Sequence, residues 1–469
     1  MKPTHEQSLI MNALPKLRNC MKINAFAGTG KTSTLVHLAD AFPECKFLYL
    51  AFNKAISDEA KLRFPINTVA KTTHALAFPF IVKKGETVRG DYGTMEISKM
   101  FSLSFQIADL TRSFLNSYCN SSFIKMDDMR DYIARYGTKV PDLAYKHAYT
   151  LYGAMLNRKV DITYSFFLKE FQRRLYKIRT IDFDYILLDE GQDTNDVTID
   201  IFQKLPGKKI IVGDSHQQIY AFRGAVDAMR RIQAEKELYL TETFRCRPGV
   251  VNMANHILST YKGEERKLKA VFDNLNHVDT IAYITRTNAS LIDYIHKFDE
   301  FKLTRDANEI FKSALSVFYF LRGDYDSIYP EYKYLSAFSR SDLESYISET
   351  GDLELRKAFE QATKYGTGLI RLFEKAKQQK NSNAVITLTT AHSAKGLEFD
   401  AVHLCDDFPS LDQIAGMDEL SQIEKDNEYN LFYVAVTRAK YAVSNNTPNY
   451  LPSQEKQRIQ TIEDFMEDM

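Results

Sequence analysis

No tryptophan occurs in the 469 residues, so every role for a large flat side chain falls to 31 Phe and 27 Tyr. Cysteine is scarce. Cys20, Cys45, Cys119, Cys246 and Cys405 stand far apart, with no CxxC pair and no histidine-rich neighbour. That scatter argues against a zinc site and for a reducing compartment. An excess of one charge is missing too. Lys plus Arg and Asp plus Glu both number 61, so bulk charge names no partner and any surface for a polyanion must be local. No run approaches the ~18 apolar residues of a membrane span, and "MKPTHEQSLI" lacks the apolar stretch of a signal peptide. The chain is therefore expected to be soluble and intracellular, with no membrane partner. Its 44% hydrophobic and 26% charged content, over this length, predicts two or more ordinary globular domains.

What is present is a phosphate-binding turn with one departure. In "AFAGTGKTST" (25–34) the usual first glycine is Ala25, while Gly28-Thr29-Gly30-Lys31-Thr32 obeys the pattern. "MKINAF" before it alternates like a short strand, and Leu35, Val36, Leu38 and Phe42 after it recur at helical spacing. Strand, glycine turn and helix are the context such a loop needs. Backbone N–H groups at the helix start face the phosphates, Lys31 reaches the outer ones, and the Thr32 hydroxyl ligates Mg²⁺. Farther on, "FDYILLDEGQD" (183–193) reads as a strand, Tyr185 to Leu188, ending in Asp189-Glu190. The first carboxylate can hold Mg²⁺ and the second can take a proton from an attacking water. A third strand, "KKIIVGD" (208–214), leads to Gln217, just past its end, where a side chain can sense the γ-phosphate. The pattern predicts a parallel sheet with ATP and Mg²⁺ at the strand C-termini.

Between residues 4 and 445 the stretches "THEQSLI", "AFAGTGKT", "AFNKAIS", "KTTHALA", "LLDEGQD", "VGDSHQQIYAFRGA", "ETFRCRP", "TTAHSAKGLEFD" and "LFYVAVTRAK" follow in that order. They resemble the UvrD/Rep-type superfamily 1 DNA helicases, and within them are similar to the helicase part of the F-box DNA helicases. No counterpart of the F-box segment is expected. The resemblance implies an α/β fold with two RecA-like parallel-sheet motor domains and mostly helical insertions. The first motor domain is expected over 1–78 and 170–243, with a helical insertion at 79–169. The second is expected over 244–325 and 382–450, with a reduced helical insertion at 326–381 and a tail at 451–469. ATP is expected between the motor domains, with DNA crossing their tops.

Residue by residue, the resemblance implies that Gln7 bonds the adenine edge and that Gly28, Gly30, Lys31 and Thr32 hold the phosphates. Asp189 joins Thr32 on Mg²⁺, Glu190 activates water, and Gln217 senses the γ-phosphate. Arg245 and Arg438 act as arginine fingers, worth up to roughly 10³–10⁵ in rate. Glu398 contacts the ribose. Relatives often have an arginine over the adenine where this chain has Ser33, while Phe244 keeps the aromatic on the other face. The base clamp is thus expected to be one-sided.

A translocase on single strands needs phosphate contacts and aromatic platforms for bases. Candidates are Phe52, Asn53 and Lys54, then Thr73 and His74, then Tyr220, Phe222 and Arg223. Arg286, Asn288, Thr390, His392 and Ser393 come from the second motor domain. Relatives usually stack a base on tryptophan where Phe222 stands. His74 reads equally as a DNA contact or as a local hydrogen bond. The expected function is an ATP-dependent 3′→5′ single-stranded DNA translocase and helicase in repair, recombination or replication, in the cytoplasm (nucleoid) or the nucleus. Its expected partners are single-stranded DNA, single–double strand junctions, and recombinases or other DNA-bound proteins to be removed. The alternatives are an ATP-gated DNA clamp or adaptor, and an RNA-directed helicase of the same superfamily.

Overall fold

The computed structural model describes residues 2–220, 226–274, 277–350, 352–379 and 384–445. They form two compact units. One comprises the described residues of 1–26 and 30–240, the other residues 27–29 and the described residues from Thr241 onward.

In the first unit six strands lie in one parallel sheet: β1 (Cys20–Ala25), β2 (Phe47–Ala51), β3 (Thr68–Thr72), β6 (Tyr185–Leu188), β7 (Lys208–Gly213) and β8 (Lys236–Leu240). Two short strands, β4 (Val88–Arg89) and β5 (Ile162–Thr163), pair apart from it. The spatial order is β3-β2-β6-β7-β1-β8. Parallel pairing sets Asn24 opposite Gly213 and Leu188 opposite Ile211. The C-terminal ends of β6, β7 and β1 are therefore adjacent, which is where a doubly wound sheet gathers its ligand groups.

The alternation of side chains along each strand builds a core on both faces. Phe47, Tyr49, Tyr185, Leu187, Ile210 and Val212 join helices α1 (His5–Ala13), α2 (Lys31–Ala41) and α3 (Lys54–Arg63) on one side. Leu48, Leu50, Ile186, Leu188 and Ile211 face the other way. There they pack with α4 (Thr73–Ile81) and with the helices that follow it: α5 (Thr94–Phe101), α6 (Phe105–Asn120), α7 (Met126–Arg135), α8 (Asp142–Leu156) and α9 (Tyr164–Arg174). Two more helices, α10 (Asp196–Lys204) and α11 (Ala228–Arg231), complete that layer.

The second unit begins with β9 (Glu242–Thr243), which pairs in parallel with β10 (Lys269–Ala270) beside α12 (Pro248–His256). Its main sheet has the order β12-β13-β11-β14-β15, all parallel. The strands are β11 (Ile281–Thr285), β12 (Lys302–Leu303), β13 (Ile386–Thr390), β14 (Phe399–Leu404) and β15 (Ala439–Asn445). One core takes in Ile281, Tyr283 and Leu388 of this sheet with α13 (Asn288–Lys297) and α14 (Ala307–Leu321). Three further helices, α15 (Arg340–Thr350), α16 (Leu353–Tyr365) and α17 (Gly368–Gln378), feed Leu343, Leu355, Ala362, Leu369 and Leu372 into that same core. Helices α18 (Ala391–Ala394), α19 (Leu411–Ala415) and α20 (Gln422–Val436) follow, and the last turns of α20, Tyr429 to Val436, are buried all round. Among the described residues no helix is long and apolar enough to cross a membrane.

Candidate functional site

Gly28 and Gly30 lie in the left-handed region, at φ +70° and +79°, which releases the turn into α2 with Gly30 as its N-cap. Lys31 and Thr32 then occupy the first turn of α2, beside the ends of β6 and β7. Thr32 Oγ1 donates to Asp189 Oδ2 at 3.0 Å. Tyr49 Oη, buried on β2, donates to the same oxygen at 2.7 Å. Burial, then the charge of Glu190, raises the Asp189 pKa; the Tyr49 hydrogen bond and Lys31 oppose the rise. Lys31 Nζ stands 3.7 Å from Glu190 Oε1.

Glu190 itself sits at φ +52°, a left-handed conformation costly for a non-glycine residue. Two bonds hold it there. Its N–H donates to Asp189 Oδ1 at 2.8 Å, and Gln192 Nε2 donates to its Oε2. Gln192, fully buried, also donates to Asp193 and accepts from the Asp214 N–H at 3.0 Å. Asp214 Oδ2 in turn accepts from Gln217 Nε2 at 2.7 Å. A chain of hydrogen bonds thus runs from the end of β6 to the end of β7. Lys31, Thr32, Asp189, Glu190 and Gln217, read from three separate motifs, are brought together. Tyr49, Gln192 and Asp214 were not singled out by the sequence. Gln192 stood inside "DEGQD" and carried a signal only by its nearness to the acidic pair; Tyr49 carried none.

The hard oxygen donors fit Mg²⁺. Thr32 Oγ1 and Asp189 Oδ2 are 3.0 Å apart. Adjacent ligands at 2.0–2.1 Å in an octahedron are separated by about that much, and Mg²⁺ commonly uses one carboxylate plus phosphate oxygens. On the other side of the same turn, Gln7 forms a capping box with Thr4 and donates Nε2 to Thr34 Oγ1 at 3.0 Å. Ser33 Oγ accepts from Arg63 Nη2 at 3.1 Å.

The DNA candidates of this unit are divided. Phe52 is exposed, and its ring lies parallel to that of Tyr220, 6.1 Å between centroids. Asn53 caps α3, accepting from the Ile56 N–H at 2.9 Å, with Lys54 as the first helical residue. Thr73, buried, opens α4. His74 packs edge-on against Phe167 at 5.4 Å, and burial lowers its pKa. Phe222 and Arg223 lie outside the described residues.

Within the second unit, which takes in Ala27–Thr29, a Cβ on Gly28 would meet Arg245 Cβ at 2.6 Å, so glycine is required there. Arg245 Nη2 pairs with Glu398 Oε1 at 2.6 Å, joining an expected finger to the expected ribose contact. Arg438 is buried and donates Nε to the Val434 carbonyl at 3.0 Å. Phe244, half-buried, meets Phe272 at 6.3 Å. Arg286 Nη2 and Nε grip the two oxygens of Glu428 at 2.6 and 2.9 Å. Burial disfavours the Arg286 charge, but this pair outweighs it and raises the pKa. Thr390 caps α18 and donates to Ser393 Oγ at 2.9 Å; His392 lies half-buried in that helix. The Asn288 N–H donates to Glu354 at 3.0 Å.

Residues 167–237 match the UvrD/REP helicase N-terminal domain, and residues 341–444 match the UvrD-like helicase C-terminal domain. The chain is 29% identical to F-box DNA helicase 1 of Gallus gallus over 94% of its own length and 48% of that protein. It is also 29% identical to F-box DNA helicase protein 1 of Schizosaccharomyces pombe, over 93% of this chain and 56% of the relative. A shorter similarity, 27% over 138 residues, links it to the ATP-dependent DNA helicase UvrD1 of Mycobacterium tuberculosis, covering 21% of this chain and 18% of that protein. The chain spans about half the length of the first two relatives. The N-terminal match lies in the first unit and the C-terminal match in the second, so the chain carries regions similar to both UvrD-like helicase domains.

Proposed function

We propose that the protein is an ATP-driven motor that moves 3′→5′ along single-stranded DNA and separates strands or removes bound proteins in repair, recombination or replication. The observation that carries this reading is the meeting of Lys31 and Thr32, in the first turn of α2, with Asp189 and Glu190 at the end of β6. Lys31 and the N–H groups at the start of α2 hold the phosphates. Thr32 and Asp189 hold Mg²⁺, which when bound neutralises charge on the phosphates. Glu190, kept in register by Gln192, accepts the proton of the attacking water. The Gln192–Asp214–Gln217 chain carries a change at Glu190 to the stretch that leads into Tyr220. Arg245 and Arg438 are assigned to the transition state by the family resemblance. Parallel Phe52 and Tyr220 rings support base stacking, worth about 1–3 kcal/mol per base.

The test is the ATPase rate with and without single-stranded DNA, over a salt series. DNA is expected to stimulate turnover, with affinity falling steeply as salt rises. Lys31→Ala is expected to abolish turnover, and Glu190→Gln to bind ATP but hydrolyse it at least ~100-fold more slowly. Equal stimulation by RNA would favour an RNA-directed helicase. Binding of DNA without turnover would favour an ATP-gated clamp.

A further inference from the structure

The first turn of α2 has two chemically distinct sides. Lys31 and Thr32 turn to the acids of β6, whereas Ser33 and Thr34 receive side chains from two other helices. Thr34 receives Gln7 from α1. The Gln7 amide spends one N–H on Thr34 Oγ1 and one lone pair on the Thr4 N–H. One N–H and one lone pair remain, the donor and acceptor pair that a glutamine amide offers to N7 and the 6-amino group of adenine.

Ser33 receives Arg63, the last residue of α3. Glu59, one turn back in α3, holds Arg63 Nη1 at 2.9 Å while Ser33 holds Nη2 at 3.1 Å. The guanidinium is thereby fixed from two ends with 41% of the side chain exposed. As a mere surface ion pair this arrangement would be worth little. The bond to Ser33, however, carries the group 30 residues along the chain to the turn that follows the phosphate loop. A planar, permanently charged guanidinium can stack flat on an aromatic face, which the point charge of a lysine does not reproduce.

We propose that Arg63 covers one face of the nucleotide base, reaching from the end of α3 to the place where Ser33 is too short to do so. Gln7 reads the edge of the base, and Arg63 supplies the surface it rests on. This inference rests on the ATP reading of the site.

The experiment compares wild type, Arg63→Ala, Arg63→Lys and the double variant Ser33→Arg/Arg63→Ala in DNA-stimulated turnover. KM for ATP is read against the inhibition constant of inorganic tripolyphosphate, which has no base. Loss of a cation–π contact predicts a KM for ATP raised roughly 3- to 30-fold in Arg63→Ala, with kcat changed less than about twofold and tripolyphosphate inhibition unchanged. Arg63→Lys is expected to recover less than half of the loss, and the double variant most of it. Unchanged KM, or equal weakening of ATP and tripolyphosphate, overturns the proposal while leaving the ATP site intact. Absence of ATP turnover in the wild type overturns both readings together.

Discussion

Tyr49 donates its phenol to Asp189 Oδ2 from a fully buried position in the middle of β2, the same oxygen that Thr32 addresses. Asp189 needs such support, because burial and the neighbouring Glu190 both work against its negative charge. A carboxylate oriented by a neutral donor is pre-set for a metal ion, and loss of an outer partner commonly weakens metal binding by about 10- to 100-fold. Tyr49→Phe is therefore expected to raise the Mg²⁺ concentration for half-maximal ATPase roughly 10-fold. Turnover at saturating Mg²⁺ should stay close to normal. A Mg²⁺ titration superimposable on that of the wild type would show that the phenol is only a packing group. The same reasoning at single residues applies to Arg286, whose two-point grip on Glu428 occupies the guanidinium an approaching phosphate would need. Its value as a DNA contact depends on release of that pair.

At the scale of elements, a single buried polar group on a helix joins distant stretches of chain. Lys169 of α9 is fully buried and donates to the Ser121 and Phe123 carbonyls at 2.7 and 2.8 Å, and to Gln172 Oε1 at 2.7 Å. It thereby satisfies the turn that follows α6. Burial pulls its pKa down to about 8, so the ammonium remains charged at neutral pH. Lys169→Met keeps the packing volume but strands those acceptors, and is expected to cost about 3 kcal/mol in denaturant unfolding of the first unit. A loss below ~0.5 kcal/mol would mean that water replaces the ammonium freely. The elements themselves were largely legible beforehand. The apolar runs in "YILL" and "KKIIVG" and the glycine turn before Lys31 come from local sterics and burial, and β6, β7 and α2 lie where that pattern puts them. What α9 touches was not legible, since its partners sit some 50 residues away.

On the scale of the whole molecule, 326–381 is the segment that the sequence reading expects as a reduced helical insertion. About 56 residues are near the lower limit for a self-sufficient core. Its helices α15 to α17 instead share one core with α13, α14 and the second sheet. Such a segment is committed to stabilising its own unit. The expected behaviour is sustained movement on single strands with weak separation of long duplexes, and displacement of bound proteins. Single-turnover measurements of translocation rate and unwinding yield on one preparation test this. Efficient unwinding of a long duplex by a monomer would sink it. By itself the sequence determined the strand, glycine turn and helix around Lys31, the strands that end at Asp189 and Asp214, and the acidic pair, because each is written in spacing over fewer than about a dozen residues. Only the tertiary structure decided that Tyr49 supports Asp189, that Gln192 links the ends of β6 and β7, that Arg63 reaches Ser33 and that Arg286 is paired. Those contacts join residues from 22 to 142 positions apart, and strand order and helix packing, which no local pattern encodes, set the distances between them.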